Sequence, residues 1–232
     1  MNNTNEINRL DCLAIIGSHA RGDDDSNSDV DLLGIISNDN HHQMMNAKKI
    51  NLSTYSEVYL RSMMSAGDIF ALHIVKEGIP LINSSLFYSI CNDFKYKDNY
   101  KKDRKIAYLM GSMILSKAEA ITNWNIANKR ITWCVRTYIL SLMAEQKSPI
   151  FSKEGIAFYG CNLHDSISYH EYLALVNAKL QKGYSVLIIN LLKRFLVEIA
   201  ENCPDNEEAK DLLTNESILV NTFEQMMFDI YH

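Results

Sequence analysis

The chain has 232 residues, 47% of them hydrophobic and 22% charged, with a net charge of −5. That length and balance fit a globular protein of one large or two small domains, and the negative charge argues against general, salt-driven binding to nucleic acid. No apolar run reaches the length of a membrane span and the polar start MNNTNEINRLD lacks a signal-peptide core, so no membrane partner is expected and the expected location is cytoplasmic.

Taken in order, residues 3–9 read as a short leading helix and Asp11 to Ile16 as a first strand. The loop 17–28 is rich in Gly, Asp, Asn and Ser, as turns are. Its triplet Asp23-Asp24-Asp25 invites a metal reading, but a solvated loop accounts for it more simply. A second strand runs from Asp29 to Ile36. Ser37-Asn38-Asp39-Asn40 then reads as a turn, or as a cap for a short helix through Gln43-Met44-Met45. His41 and His42 adjoin without a third ligand at metal spacing, which places them on the surface. Lys48 to Tyr55 is a third strand, 56–66 a helix capped by Ser56, and 67–79 another helix. On the latter, Phe70, His73, Ile74 and Glu77 share one face; a lone His there is more often a core residue than a site residue. Pro80 stops that helix and Leu81-Ile82 adds a short edge strand.

The chemistry concentrates between Leu10 and Ile36. Asp29 and Asp31 are two apart in a segment with strand character, so both point to one face. Two neighbouring carboxylates repel, and a hard divalent cation with oxygen ligands offsets them; Mg²⁺ typically sits on one or two carboxylates plus substrate phosphates. Gly17 lets backbone approach closely, and N–H groups at the start of a following helical turn favour anions. Arg21 offers a charge-assisted contact to phosphate.

Gly17-Ser18, Ala20-Arg21-Gly22 and Ser28-Asp29-Val30-Asp31-Leu32 together resemble the signature of the polymerase-β-like nucleotidyltransferase superfamily, in its minimal and antibiotic-nucleotidylating branch. The resemblance implies catalytic and metal-binding roles for Asp29 and Asp31 and nucleotide binding at Gly17, Ser18, Arg21 and Ser28. It implies Mg²⁺ (or Mn²⁺) as cofactor and a nucleoside triphosphate, ATP by default, as substrate. The superfamily usually takes a third carboxylate from a strand beside the Asp-x-Asp strand. Here that strand offers Asn51, Ser53 and Ser56 and no acid; Glu57 lies just past it as a substitute ligand, with Asp68 and Glu77 further away. The Phe-x-x-His-x-x-x-Glu-Gly string from Phe70 to Gly78 also looks like a segment that closes such domains.

The second half reads as helical throughout. Residues 84–93 form a linking helix, followed by helices near 99–124, 127–145, 166–181, 185–202 and 216–230, with a loop and short helix over 148–165. Lys95 to Lys105 carries six basic residues against two acidic, either a ridge facing phosphate or RNA or a solvated helix start. Trp124, Trp133, Tyr138 and Arg136 are candidates for an acceptor cleft, though a stripe at helical spacing is more often core. No Arg in this half precedes a His at the spacing of the helical nucleases that partner minimal nucleotidyltransferases, so RNase activity is not expected. The five cysteines, Cys12, Cys91, Cys134, Cys161 and Cys203, are widely spaced and odd in number, which suggests free thiols.

The fold expected is an α/β head with a small mixed sheet over residues 1–94, followed by an all-α bundle over 95–232 that binds substrate or partner. The expected function is metal-dependent transfer of a nucleoside monophosphate to an acceptor hydroxyl of a small molecule, a protein side chain or an RNA end. The alternative is a catalytically degenerate protein of the same fold acting as an antitoxin or binding partner. A defence-type cyclic-oligonucleotide synthase ranks third, since those enzymes are usually longer and keep the third acid.

Overall fold

The structure, a computed structural model, describes residues 10–26, 28–37 and 43–227. The expected leading helix and the pair His41-His42 lie outside these residues. The chain divides into two compact units between Asp98 and Asn99, four residues past the boundary expected from the sequence.

The first unit is a small mixed sheet. Its strands are β1 (Cys12–Ile16), β2 (Val30–Ile36), β3 (Gln43–Ala47), β4 (Ile50–Ser56) and β5 (Ile79–Ile82), in spatial order β3-β4-β2-β1-β5. The pairs β1–β2, β1–β5 and β3–β4 are antiparallel, while β2–β4 is parallel. Among the described residues four helices accompany the sheet: α1 (Ser18–Arg21), α2 (Glu57–Ser65), α3 (Ile69–Glu77) and α4 (Ser84–Cys91). Ser56 caps α2 by accepting from the Tyr59 N–H, and Asp68 caps α3 by accepting from Phe70 and Ala71, side-chain acceptors of the kind helix starts favour.

Strand alternation builds the core. On β1, Cys12, Ala14 and Ile16 are buried; Leu33 and Ile35 of β2 face the same way and pack with Leu60, Met64, Ala71, Ile74, Phe87 and Ile90 from the three longer helices. Period two then puts Asp29 and Asp31 on the same face as Leu33 and Ile35. The face thus turns from apolar to acidic toward the start of β2, and this change places the candidate site.

One expectation fails here. Gln43-Met44-Met45, helical on one of the two readings given above, begins strand β3, which pairs with β4 through a turn at Lys48-Lys49. Lys48 takes a left-handed φ of 53° to close that hairpin. Gln, Met and Ala are good helix formers, but ladder pairing with β4 overrides that weak local preference.

The second unit is helical: α5 (Lys101–Lys117), α6 (Trp124–Glu145), α7 (Lys153–Leu163), α8 (Tyr169–Val176), α9 (Val186–Glu198), α10 (Asn206–Asn215) and α11 (Ser217–Met227), with single 3₁₀ turns at Ala178–Leu180 and Ala200–Asn202. Helix α6 is the central element, buried over most of its circumference from Ala127 to Ala144. The small mixed sheet followed by helices is the fold class expected from the sequence. The stop of α5 at Lys117, well short of 124, and the extra helix α10 differ from the expected bounds. No helix among the described residues is long and apolar enough to cross a membrane, and all five cysteines are free thiols.

Candidate functional site

The antiparallel register of β1 and β2 sets Ile16 opposite Asp31, so the chain leaves β1 beside that carboxylate. Gly17 follows with φ 78°. A methyl group built on it would sit 3.0 Å from Asp31 Oδ2. Both the backbone angle and the close approach require glycine. Helix α1 starts at Ser18, and its C-terminal Gly22 caps it in the left-handed conformation.

On the other side of β2, the parallel register sets Asn51 of β4 against Asp31. The Asn51 Nδ2 group donates to Asp31 Oδ1 at 3.1 Å and reaches Asp29 Oδ2 at 3.5 Å. One amide nitrogen therefore sits within hydrogen-bond range of both carboxylates, on the strand that offers Asn51, Ser53 and Ser56 and no acid. Asp29 is exposed, Asp31 and Asn51 half-buried, and Gly17 buried.

Other residues singled out from the sequence go to different tasks. Arg21 Nε donates to both oxygens of Asp23, at 3.1 and 2.9 Å, and its Nη1 donates to Glu77 Oε2 at 2.7 Å. Burial acts to lower the guanidinium pKa, but the hydrogen bonds to Asp23 and Glu77 outweigh it and hold it above its ordinary value. Ser28 accepts at its Oγ from the Asp25 N–H at 2.9 Å and closes the end of the loop. The three loop acids are individually engaged: Asp23 by Arg21, Asp24 near His19 Nδ1 at 3.4 Å, and Asp25 by Ser28.

Glu57 does not join the aspartates. It follows Ser56, which pairs with Ile36 at the far end of the β2–β4 ladder, so it lies six residues past Asn51, roughly 20 Å along the strand direction. Its Oε1 accepts from Arg61 Nε at 2.8 Å, and Arg61 Nη1 also binds Asp93 at 2.5 Å. Among the described residues no group of three His, Cys, Asp or Glu side chains is placed to share a metal ion.

Glu77 is the residue the sequence singled out least. Its side chain is only 7% exposed, and His73 Nε2 lies 2.5 Å from the same oxygen that accepts from Arg21. The i, i+4 spacing of His73 and Glu77 in the Phe-x-x-His-x-x-x-Glu-Gly string carried the signal. What it could not carry was the long-range partner, Arg21.

Three of the six basic residues of Lys95 to Lys105 pair within the helical unit. Arg104 is 7% exposed and pairs with Glu145 at 2.9 Å; Lys105 binds Glu208 at 2.5 Å and Lys102 binds Glu216 at 2.6 Å. Tyr138 is core: 3% exposed, edge-on to Phe195 at 5.6 Å, its hydroxyl pushed up to about 12, chiefly by burial. Arg136 Nη2 donates to the Phe151 carbonyl at 2.9 Å, and Trp124 packs edge-on against Tyr184 at 4.9 Å.

No protein-family model matches this chain, and no curated protein matches it. Among solved structures it is similar to a nucleotidyltransferase-like protein from Exiguobacterium sibiricum 255-15, a crystal structure at 1.90 Å. The identity is 13%, with 93% of this chain and 85% of that chain covered, and the TM-score is 0.28. A likeness of that size carries no argument about family or chemistry.

Proposed function

We propose that this chain is a metal-dependent nucleotidyltransferase that moves a nucleoside monophosphate from a triphosphate, ATP by default, to an acceptor hydroxyl. The observation that carries the reading is the convergence of Asp29 and Asp31 on the Asn51 amide, directly beside the glycine turn at Gly17-Ser18. The donor set suits a hard cation: two carboxylates, with a carboxamide oxygen from Asn51 once that side chain turns over. Asp29 and Asp31 would hold Mg²⁺ or Mn²⁺. Such an ion supplies positive charge that offsets the charge on the α-phosphate and the departing pyrophosphate.

The chain's own residues do the rest. Gly17 presents backbone without a side chain in the way, and the Ser18 end of α1 offers N–H groups to phosphate. The acceptor oxygen attacks the α-phosphorus, the bond to the pyrophosphate oxygen breaks, and the hydroxyl proton passes to an aspartate oxygen or to water. The acceptor, whether a small molecule, a protein side chain or an RNA end, is recognised elsewhere on the chain. Incubation with α-³²P-labelled triphosphates, Mg²⁺ or Mn²⁺ and each acceptor class tests the reading. Label transfer that disappears in Asp31→Asn supports it.

One observation favours the second reading, a degenerate protein of this fold that acts as a binding partner or antitoxin. Asn51 contributes an amide where a third carboxylate would stand, and Glu57 is committed to Arg61. On that reading wild-type protein transfers no label to any acceptor, and Asp31→Asn leaves its biological effect unchanged.

A further inference from the structure

The loop that carries the glycine turn is tied to a helix far away in the sequence. Arg21 ends α1, yet its Nη1 donates to Glu77 Oε2 of α3 at 2.7 Å, 56 positions along the chain. His73, one turn earlier on α3, places Nε2 2.5 Å from that same oxygen. Glu77 is 7% exposed and Arg21 20% exposed on their side chains. Further ties hold the loop to itself and to the neighbouring hairpin: Asp23 with Arg21, Asp24 with His19, Asp25 with Ser28, and the Lys49 ammonium donating to the Ser26 carbonyl at 2.5 Å. Arg21 to Glu77 is a side-chain tie from this loop to the helical layer under the sheet.

We propose that Glu77 is a positioning residue for the nucleotide site. By gripping Arg21 from α3 it fixes α1, and with it the Gly17-Ser18 turn that lies against Asp31; Arg21 serves as a strut rather than as a phosphate ligand. The inference rests on the nucleotidyltransferase reading for the purpose of the turn, but not for the existence of the strut. Three observations support the role. Two of the three guanidinium nitrogens already donate to carboxylates. The acceptor carboxylate is nearly out of solvent, where charge-assisted hydrogen bonds are strongest. And His73 Nε2, one turn earlier on the same helix, lies 2.5 Å from the same oxygen. A strut of this kind sets how well the turn is formed before nucleotide arrives, so its loss should raise KM more than it lowers kcat.

The test uses the full chain and two readouts. Hydrogen exchange of peptides covering residues 17–28 is followed without nucleotide in wild type, Glu77→Gln, Arg21→Met and the double variant. The strut predicts that each single change speeds exchange by about tenfold or more, and that the double variant adds little to Arg21→Met, because both changes remove the Arg21–Glu77 contact. Arg21→Lys reads the same contact if Glu77→Gln does not fold, since an ammonium cannot donate to Asp23 and Glu77 in the guanidinium's fork geometry. Binding of Mg²⁺ with a non-hydrolysable α,β-methylene triphosphate is then titrated, and Glu77→Gln should weaken it about as much as Arg21→Met. Unchanged exchange in Glu77→Gln overturns the proposal. So does loss of nucleotide binding in Arg21→Met with full binding in Glu77→Gln, which would make Arg21 a phosphate ligand. Because the exchange is read without nucleotide, failure of the wild type to bind any triphosphate overturns the nucleotidyltransferase reading and leaves the strut decided by its own measurement.

Discussion

Asp31 and Asn51 face each other across the parallel strands β2 and β4, and the Asn51 amide donates to the Asp31 carboxylate at 3.1 Å. The same amide nitrogen reaches Asp29 at 3.5 Å. In the absence of a cation, a neutral donor therefore relieves the repulsion between two carboxylates. It does so without adding a third negative charge, and that choice sets how the site should respond to metal.

Asn51→Asp converts the trio to three acids. At 4 Å and an effective dielectric near 20, one added pair of like charges is worth roughly 4 kcal/mol, and the exposure of Asp29 screens this well below that figure. The variant should be less stable than wild type in EDTA and should gain more stability from Mn²⁺. Denaturant unfolding with and without Mn²⁺ measures both. Equal stabilisation of the two proteins by Mn²⁺ would show that Asn51 has no bearing on the cation.

Gly17→Ala tests the close approach on the other side. The residue sits at φ 78°, and the new methyl group would lie 3.0 Å from Asp31 Oδ2. A non-glycine residue in that conformation costs on the order of 1 to 3 kcal/mol, and relief requires either the turn or the aspartate to move. Unfolding by urea should report a loss in that range, accompanied by loss of triphosphate binding. A fully stable Gly17→Ala protein would mean that the turn is not held against Asp31 in solution.

Much of this geometry was legible in the residues. The run Leu13-Ala14-Ile15-Ile16 ending at Gly17, and Asp29-x-Asp31 entering a second apolar run, specify two strands, a turn between them and two carboxylates on one face. Period two alone decides that face. Strand β3 was not legible, because Gln43-Met44-Met45 has helical preference and only its pairing with β4 makes it extended. Helix α10 carried a readable start in Pro204-Asp205 followed by Glu207 and Glu208, but it buries only Leu212 and so shows little apolar period. The distance of Glu57 from the site could not be seen either: it depends on β2 and β4 running parallel, which puts the end of β4 far from the start of β2. The ion pair of Arg21 with Glu77 is long-range, and no local pattern encodes it.

The helical unit gives a pH prediction. Burial acts to raise the pKa of Glu145, but the backbone N–H of Tyr100 and the Arg104 guanidinium outweigh it and hold the carboxyl below its ordinary 4.5. A carboxyl depressed on folding stabilises above its unfolded pKa and loses that contribution as pH falls through the folded value. Glu145→Gln keeps an oxygen acceptor for Tyr100 and removes the charge beside buried Arg104. It should cost about 1 kcal/mol at pH 7, given the solvent exposure of Glu145. The gap to wild type should narrow only below pH 4.5. Thermal melts of both proteins between pH 7 and pH 3 check this; a gap that stays constant over that range would assign the pairing no electrostatic part.

The central claim is that Asp29 and Asp31 hold a divalent cation together with a triphosphate bound at the glycine turn. Isothermal titration of a non-hydrolysable triphosphate in the presence of Mg²⁺, on wild type and on Asp31→Asn, tests it most directly. Asp31→Asn keeps the side-chain size at a half-buried position and should cost roughly a kcal/mol or less in folding stability, so the comparison reads binding and not folding. The account predicts that wild type binds metal and nucleotide together, that metal alone binds poorly because two acids leave the ion dependent on the nucleotide's own phosphates, and that Asp31→Asn abolishes the joint binding. Equal metal-dependent nucleotide binding by the two proteins would contradict it.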